Sequence, residues 1–197
     1  PLSIELIAPH LKTLTPQEIR AERGKHLARF ANQDALEGRN TSLLASLAFS
    51  TQRLSADAQA VLPYLAWFEA GVFENVLLNF TQLEPERWAA IRNELVATAL
   101  VSVEQVEPFN TPYLRFHPTL PYAARADAVP NPDETEQRFI AVYLDVRQMA
   151  HDALRGNQPA AGMALVAREE ANLRGAMHRA FRRTARQEGY NISDTLR

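Results

Sequence analysis

The chain has 197 residues, 46% apolar and 22% charged, which suits a soluble globular protein of roughly one to one and a half average domains with a real core. Cysteine is absent, which excludes disulfides, thiolate metal sites and a cysteine nucleophile, and a formal charge of −2 argues against a globally basic nucleic-acid binder. No run reaches the roughly 18 apolar residues of a membrane span and no signal peptide precedes the first helical segment, so a cytoplasmic location is expected.

Alanine occurs 31 times and glycine 7 times, a balance that favours helices. Pro1 suits a first helical position, and Leu2, Leu6 and Leu14 mark an apolar side. Pro9 should split this helix, because it removes an internal hydrogen bond. Thr15-Pro16-Gln17-Glu18 reads as a strong helix start with a capping box, and Ile19, Leu27 and Phe30 are candidate buried positions behind it. Residues 31–40 are polar, contain Gly38 and read as a linker. Thr41 to Arg53 repeats Leu43, Leu44, Leu47 and Phe49 at helical spacing. Ser55 caps the next helix, which offers Val61, Leu62, Leu65 and Phe68 and carries an awkward Pro63. Gly71 reads as a helix stop, and Val72 to Phe80 as one short helix. Pro85 opens another helix with Trp88, Ile91, Leu95 and Ala99 on one face.

The texture then changes. LVSVEQVE at 100–107 is close to period two and rich in valine, PFNTP at 108–112 is turn chemistry, and Tyr113, Leu114 and Phe116 follow, so 100–117 reads as one β-hairpin. Helices followed by a two-stranded ribbon are the order of a winged helix. Residues 126–133 hold two prolines and read as a boundary. Glu134 to Leu154 is a long helix with Phe139, Val142, Tyr143, Val146, Met149 and Ala153 in a stripe. Gly156 to Pro159 is a tight connection, and Ala160 to Arg186 a second long helix with Met163, Val166, Leu173, Met177 and Phe181 inward. Together they form an antiparallel helical hairpin. Ser193 to Arg197 reads as the start of a further helix. The expected fold class is therefore mainly α: a winged-helix domain with a small β-hairpin at 39–126, a helical segment before it at 1–38, and a repeat-like helical hairpin at 127–197.

Catalytic chemistry is sparse. The histidines, His10, His26, His117, His151 and His178, have no HExxH spacing and no companion cysteine or carboxylate set, so no metal site is expected. Glu169 and Glu170 are adjacent on a helix, point apart and read as a solvated face. Gly24-Lys25 is followed by His26 rather than Ser or Thr, so there is no phosphate loop. Arg182, Arg183 and Arg186 complement a helix C-terminus or are simply solvated, with a partner contact as the alternative.

Several stretches resemble one family when taken in order. PLSIELIAPHLKTLTPQEI, 1–19, resembles the helix after the Gly-x-Pro motif of NB-ARC signalling ATPases, the STAND class. SLLASLAFSTQRLSADAQAVLPYLAWFEAGVF resembles the opening of the family's winged-helix domain, and LVATALVSVE the approach to its hairpin. YLRFHPTLPYAA, 113–124, resembles the Met-His-Asp region that closes that domain, with Pro118 where the family has aspartate. EEANLRGAMHRAF, 169–181, resembles helices of tetratricopeptide-like repeats in bacterial members.

The resemblance implies that the chain is a fragment of a larger protein, running from the end of the nucleotide-binding region through the winged helix to the first repeat helices. It implies that Pro1 packs near the adenine and that His117 contacts the diphosphate of ADP in the resting state. ADP or ATP is then a cofactor of the full-length protein and not of the fragment, which is not itself an enzyme. Expected partners are proteins or other domains of the same protein, with possible oligomerisation of the whole and no nucleic acid or membrane. The residues by themselves also allow His117 to be a structural cap at the hairpin exit. Two other functions fit the pattern: a winged-helix DNA-binding regulator with a helical dimerisation hairpin, and a helical interaction scaffold. Against the first, Glu86 to Ala99 balances Arg87 and Arg92 with Glu86 and Glu94, and the hairpin holds Arg115 against Glu104 and Glu107.

Overall fold

The computed structural model describes residues 2–31, 38–124 and 128–183. The protein is mainly α-helical with one small three-stranded antiparallel sheet. Helix α1 (Leu2–Ile7) gives way at Pro9 to a 3-10 helix, Ala8–Lys12. Helix α2 (Pro16–Ala31) opens with the expected box: Thr15 N–H donates to Glu18 Oε2 at 2.8 Å, and Glu18 N–H to Thr15 Oγ1 at 3.3 Å. Helix α3 is Gly38–Thr51, so the described part of the expected linker is already helical from Gly38. In α4 (Ala56–Leu65), Ser55 Oγ accepts Ala58 N–H at 3.2 Å, and the helix ends two residues after Pro63. The burial expected at Leu2, Leu27, Phe30, Leu43 and Leu44, and everything from 184 to 197, lies outside the described side chains.

The next segment departs from the expected short helix. Gly71–Phe73 is a strand, β1, and only Glu74–Thr81 is helical, as α5. Helix α6 (Pro85–Ala97) buries Trp88, Ile91 and Leu95, whereas Ala99 lies past its end in the left-handed region at φ 59°. Strands β2 (Val101–Glu104) and β3 (Tyr113–Phe116) match the expected hairpin and are followed by α7 (Leu120–Ala123). The ribbon is not two-stranded, because β1 joins it in the order β1-β3-β2, with Val72 opposite Leu114 and Phe73 opposite Tyr113. Gly71 makes this pairing possible: a β-carbon there would meet the Leu114 carbonyl and stand 2.7 Å from the Tyr113 ring. Helices α8 (Pro132–Arg155) and α9 (Pro159–Arg182) are the last described elements, and among the described residues no helix is long and apolar enough to cross a membrane.

The chain forms two compact units, each assembled from separate segments. The first comprises 1–66, 85–102 and 116–126. In it α3 packs against α1, α2 and α7, and α4 against α6 and α7, burying Leu6, Leu47, Phe49, Leu65, Trp88 and Leu95. His10 is buried here too. Ser50 Oγ donates to the Leu6 carbonyl at 3.0 Å and receives His10 Nε2–H at 3.2 Å, while the imidazole stands edge-on to Phe49. Burial, helped by Arg53, pushes the His10 pKa below its ordinary value.

The second unit comprises 67–84, 103–115 and 127–197. Its centre is an aromatic cluster of Trp67, Phe68, Phe80, Phe139 and Tyr143 where α5 meets α8. Helices α8 and α9 run in close contact at Gly162, where a β-carbon would stand 2.8 Å from Leu154 Cγ and 3.0 Å from the Ala150 carbonyl. This closeness corrects the inward face read for α9. The buried stripe runs through Ala161, Leu165, Glu169, Leu173, Ala176 and Ala180, while Met163 is 67% and Phe181 45% exposed. On α8, Met149 is likewise exposed. Arg183 pairs with Asp133 and with Glu136 at 3.0 Å, so this member of the basic cluster bridges α8 and α9.

Candidate functional site

His117 follows β3 directly and is held by its backbone on both sides. Its N–H donates to the Leu100 carbonyl at 2.9 Å, and its own carbonyl accepts Leu120 N–H at 2.8 Å. The residue is 8% exposed and its side chain 5%. Nδ1 accepts Thr119 N–H at 3.3 Å and stands 2.7 Å from Thr119 Oγ1. Because Nδ1 is an acceptor, the proton of the neutral ring is assigned to Nε2. Among the described residues Nε2 has no hydrogen-bond partner. Glu5 Oε2 of α1 stands 3.6 Å from Nε2, at ion-pair distance but beyond hydrogen-bond reach, on a side chain 61% exposed. Burial lowers the His117 pKa and outweighs the raising effect of Glu5, which favours the neutral ring with its single donor. Chemically it is a fixed N–H aimed by Thr119 at whatever acceptor approaches Nε2. Thr119 is the part of this site that sequence reading missed. A threonine two residues after a histidine is the local pattern that would have pointed to it. Pro1, the other residue expected at a nucleotide, lies outside the described residues.

A second polar constellation overturns the reading of Glu169 as solvated: its side chain is fully buried. Oε1 accepts Phe73 N–H at 2.9 Å, and Oε2 accepts Tyr143 O–H at 2.7 Å and Asn172 Nδ2–H at 2.8 Å. Asn172 also donates to the Gly71 carbonyl at 2.8 Å, and its Oδ1 accepts Glu69 N–H at 2.6 Å. Strand β1 is an edge strand, and these two side chains of α9 satisfy its outward N–H and C=O groups. Burial pushes the Glu169 carboxyl above its ordinary value against the pull of its three donors, and it pushes the Tyr143 phenol up as well. Every contacting polar atom is paired within the protein, so the arrangement holds a strand and leaves no group for a substrate. The signal in the sequence is positional. Glu169 falls midway between Leu165 and Leu173 on the buried stripe of α9, where a solvated glutamate does not belong.

Nearer the surface of the second unit, Arg168 grips Glu104 with two hydrogen bonds, at 2.7 and 3.0 Å, and Arg115 adds a third at 3.0 Å. Together the two guanidinium groups hold the Glu104 carboxyl down at about 2. No group of three or more metal-ligating side chains occurs among the described residues. His117 is therefore the candidate functional residue: among the described residues its Nε2 is the buried side-chain polar atom left without a hydrogen bond, with the Glu5 carboxylate 3.6 Å away. No family model, curated protein or solved structure matches the chain.

Proposed function

We propose that the chain is the regulatory part of a STAND/NB-ARC-class signalling ATPase. In this reading residues 1–38 end the nucleotide-binding region, 39–126 are its winged-helix domain and 127–197 begin tetratricopeptide-like repeats. The parts hold the nucleotide region closed on ADP, and sensor binding releases it, a two-state switch biased by differential contacts. The chain carries no phosphate loop, so any ATP hydrolysis belongs to the rest of the protein. Its partners are proteins or neighbouring domains.

The observation that supports this reading is the state of His117. Thr119 occupies one ring nitrogen and leaves the other as an N–H donor that makes no hydrogen bond among the described residues and faces only the Glu5 carboxylate at 3.6 Å, a donor that a phosphate oxygen could accept. The Glu5 side chain beside it is exposed, and in this reading it moves aside for the anion. A hydrogen bond from His117 to the β-phosphate contributes about 1.5–3 kcal/mol. If that contact exists only in the closed state, His117→Ala shifts the equilibrium roughly tenfold to a hundredfold. The test is ADP retention in the purified longer protein, wild type against His117→Ala, with thermal melting as control. Faster ADP loss at equal stability is expected. Equal retention at equal stability makes His117 a structural cap. The 197-residue chain alone should bind ADP only weakly by calorimetry, because the backbone cradle of a phosphate loop is missing from its sequence.

A further inference from the structure

The first unit carries a cleft of about 530 Å³ between α1, its 3-10 extension and α2. Three apolar side chains, Ile4, Ile7 and Leu11, line one wall at the spacing of successive helical turns. Two of them are unusually bare for their type: Ile4 is 60% and Leu11 53% exposed. Ile19, nearly fully buried, lies at the base. The α2 wall supplies Arg20 and Arg23, and none of the described residues lining the cleft is acidic. Arg23 is held in place by its Nε hydrogen bond to Ser46 Oγ at 3.2 Å. One turn beyond Arg20, Gly24 also lines the cleft, and a β-carbon built there would meet nothing within 4 Å. The cleft therefore has apolar lips, an apolar base, one cationic side and open space at the exposed Gly24.

We propose that this cleft is a docking groove for an amphipathic helix of a protein partner, which lays apolar side chains on Ile4, Ile7, Leu11 and Ile19 and sets a row of carboxylates against Arg20 and Arg23. Charge complementarity selects an acidic occupant. The form of the walls selects a helix: both are helix faces with anchors at one-turn spacing, the geometry of helix-in-groove recognition. A small amphipathic acid is a poorer fit, because small-ligand sites enclose most of their ligand and this cleft leaves its own lips half-exposed. The groove stands independently of the nucleotide-switch reading, since it uses neither His117 nor ADP.

The test uses the 197-residue chain and three probes. The first is a fluorescent synthetic helix of about 18 residues, long enough to be helical, with leucines at i, i+3, i+4 and i+7 and flanking glutamates. The second replaces those glutamates by lysines, and the third is dodecanoate. Anisotropy titration should give saturable binding of the acidic helix in the micromolar range, with the lysine helix at least about tenfold weaker. Arg20→Glu should weaken the acidic helix about tenfold and narrow the gap between the two peptides. Gly24→Leu fills the vacant space while favouring the helix it sits in, so it should keep the native circular dichroism and melting temperature and lose binding at least tenfold. Any of four results overturns the proposal: equal binding of the two peptides, unchanged binding by a folded Gly24→Leu variant, no saturable peptide binding at about 1 mM, or binding of dodecanoate without the helix.

Discussion

Glu169 gives the sharpest test of how the second unit is held together. Glu169→Ala removes the acceptor for three buried donors at once: Phe73 N–H, Tyr143 O–H and one hydrogen of Asn172. Each buried donor left unpaired costs about 1–3 kcal/mol, and water entering the vacated volume recovers part of the sum, so a net loss of about 3–5 kcal/mol is expected. That is a large share of the roughly 5–15 kcal/mol by which a domain is stable. Glu169→Gln keeps the shape but places an NH₂ where only donors face it. Asn172 cannot turn to accommodate it, because its oxygen is bound to Glu69 N–H and its amide to the Gly71 carbonyl. One frustrated contact remains, for about 1–3 kcal/mol.

The glutamine variant also separates charge from shape. Burial raises the Glu169 carboxyl above the ordinary value of 4.5, so folding favours its protonated form. This group's contribution is therefore complete below 4.5 and is lost as pH rises from there through the raised native value. The wild type should lose stability over that interval relative to Glu169→Gln, which does not titrate. The assay is urea unfolding followed by circular dichroism across pH, with amide exchange at Phe73 as the local probe. An alanine variant within about 0.5 kcal/mol of wild type and unchanged Phe73 protection would refute the claim that α9 holds the edge strand.

Two further outcomes follow from the packing. His10 is buried and its pKa is depressed below 6.5, so its contribution to the first unit is present above 6.5 and lost as pH falls through the lowered native value; its imidazole should titrate below a free histidine by NMR, and titration at the ordinary value would refute its burial. Gly162→Ala gains about 1 kcal/mol of helix propensity but drives a methyl into the Ala150 carbonyl and the Leu154 backbone, each 3.0 Å from the built β-carbon, so thermal unfolding should report a net loss of about 1–2 kcal/mol, and a rise in melting temperature would show that α8 and α9 can separate without cost.

What the sequence by itself determined is local. The capping box at Thr15 and Glu18, the Ser55 cap, the break at Pro9, the turn from Gly156 to Pro159 and the β2–β3 hairpin are each written in a few adjacent residues, because the hydrogen bonds that make them join near neighbours. The mainly helical class followed from the same cues. His117 was singled out through a family resemblance, and its local pattern with Thr119 was present in the sequence. Its unpaired Nε2 was not, because that depends on which atoms other segments leave beside it. Only the tertiary structure decided β1. Gly-Val-Phe has no period long enough to read, and it becomes a strand because Tyr113 to Arg115, some forty residues on, offers it a ladder. Glu169 is the other case. A glutamate on a helix is ordinarily solvated, and this one is buried because Phe73, Tyr143 and Asn172 converge on it from β1, α8 and its own helix. The three donors lie 96, 26 and 3 residues away in the chain, and only folding brings the first two to the carboxylate.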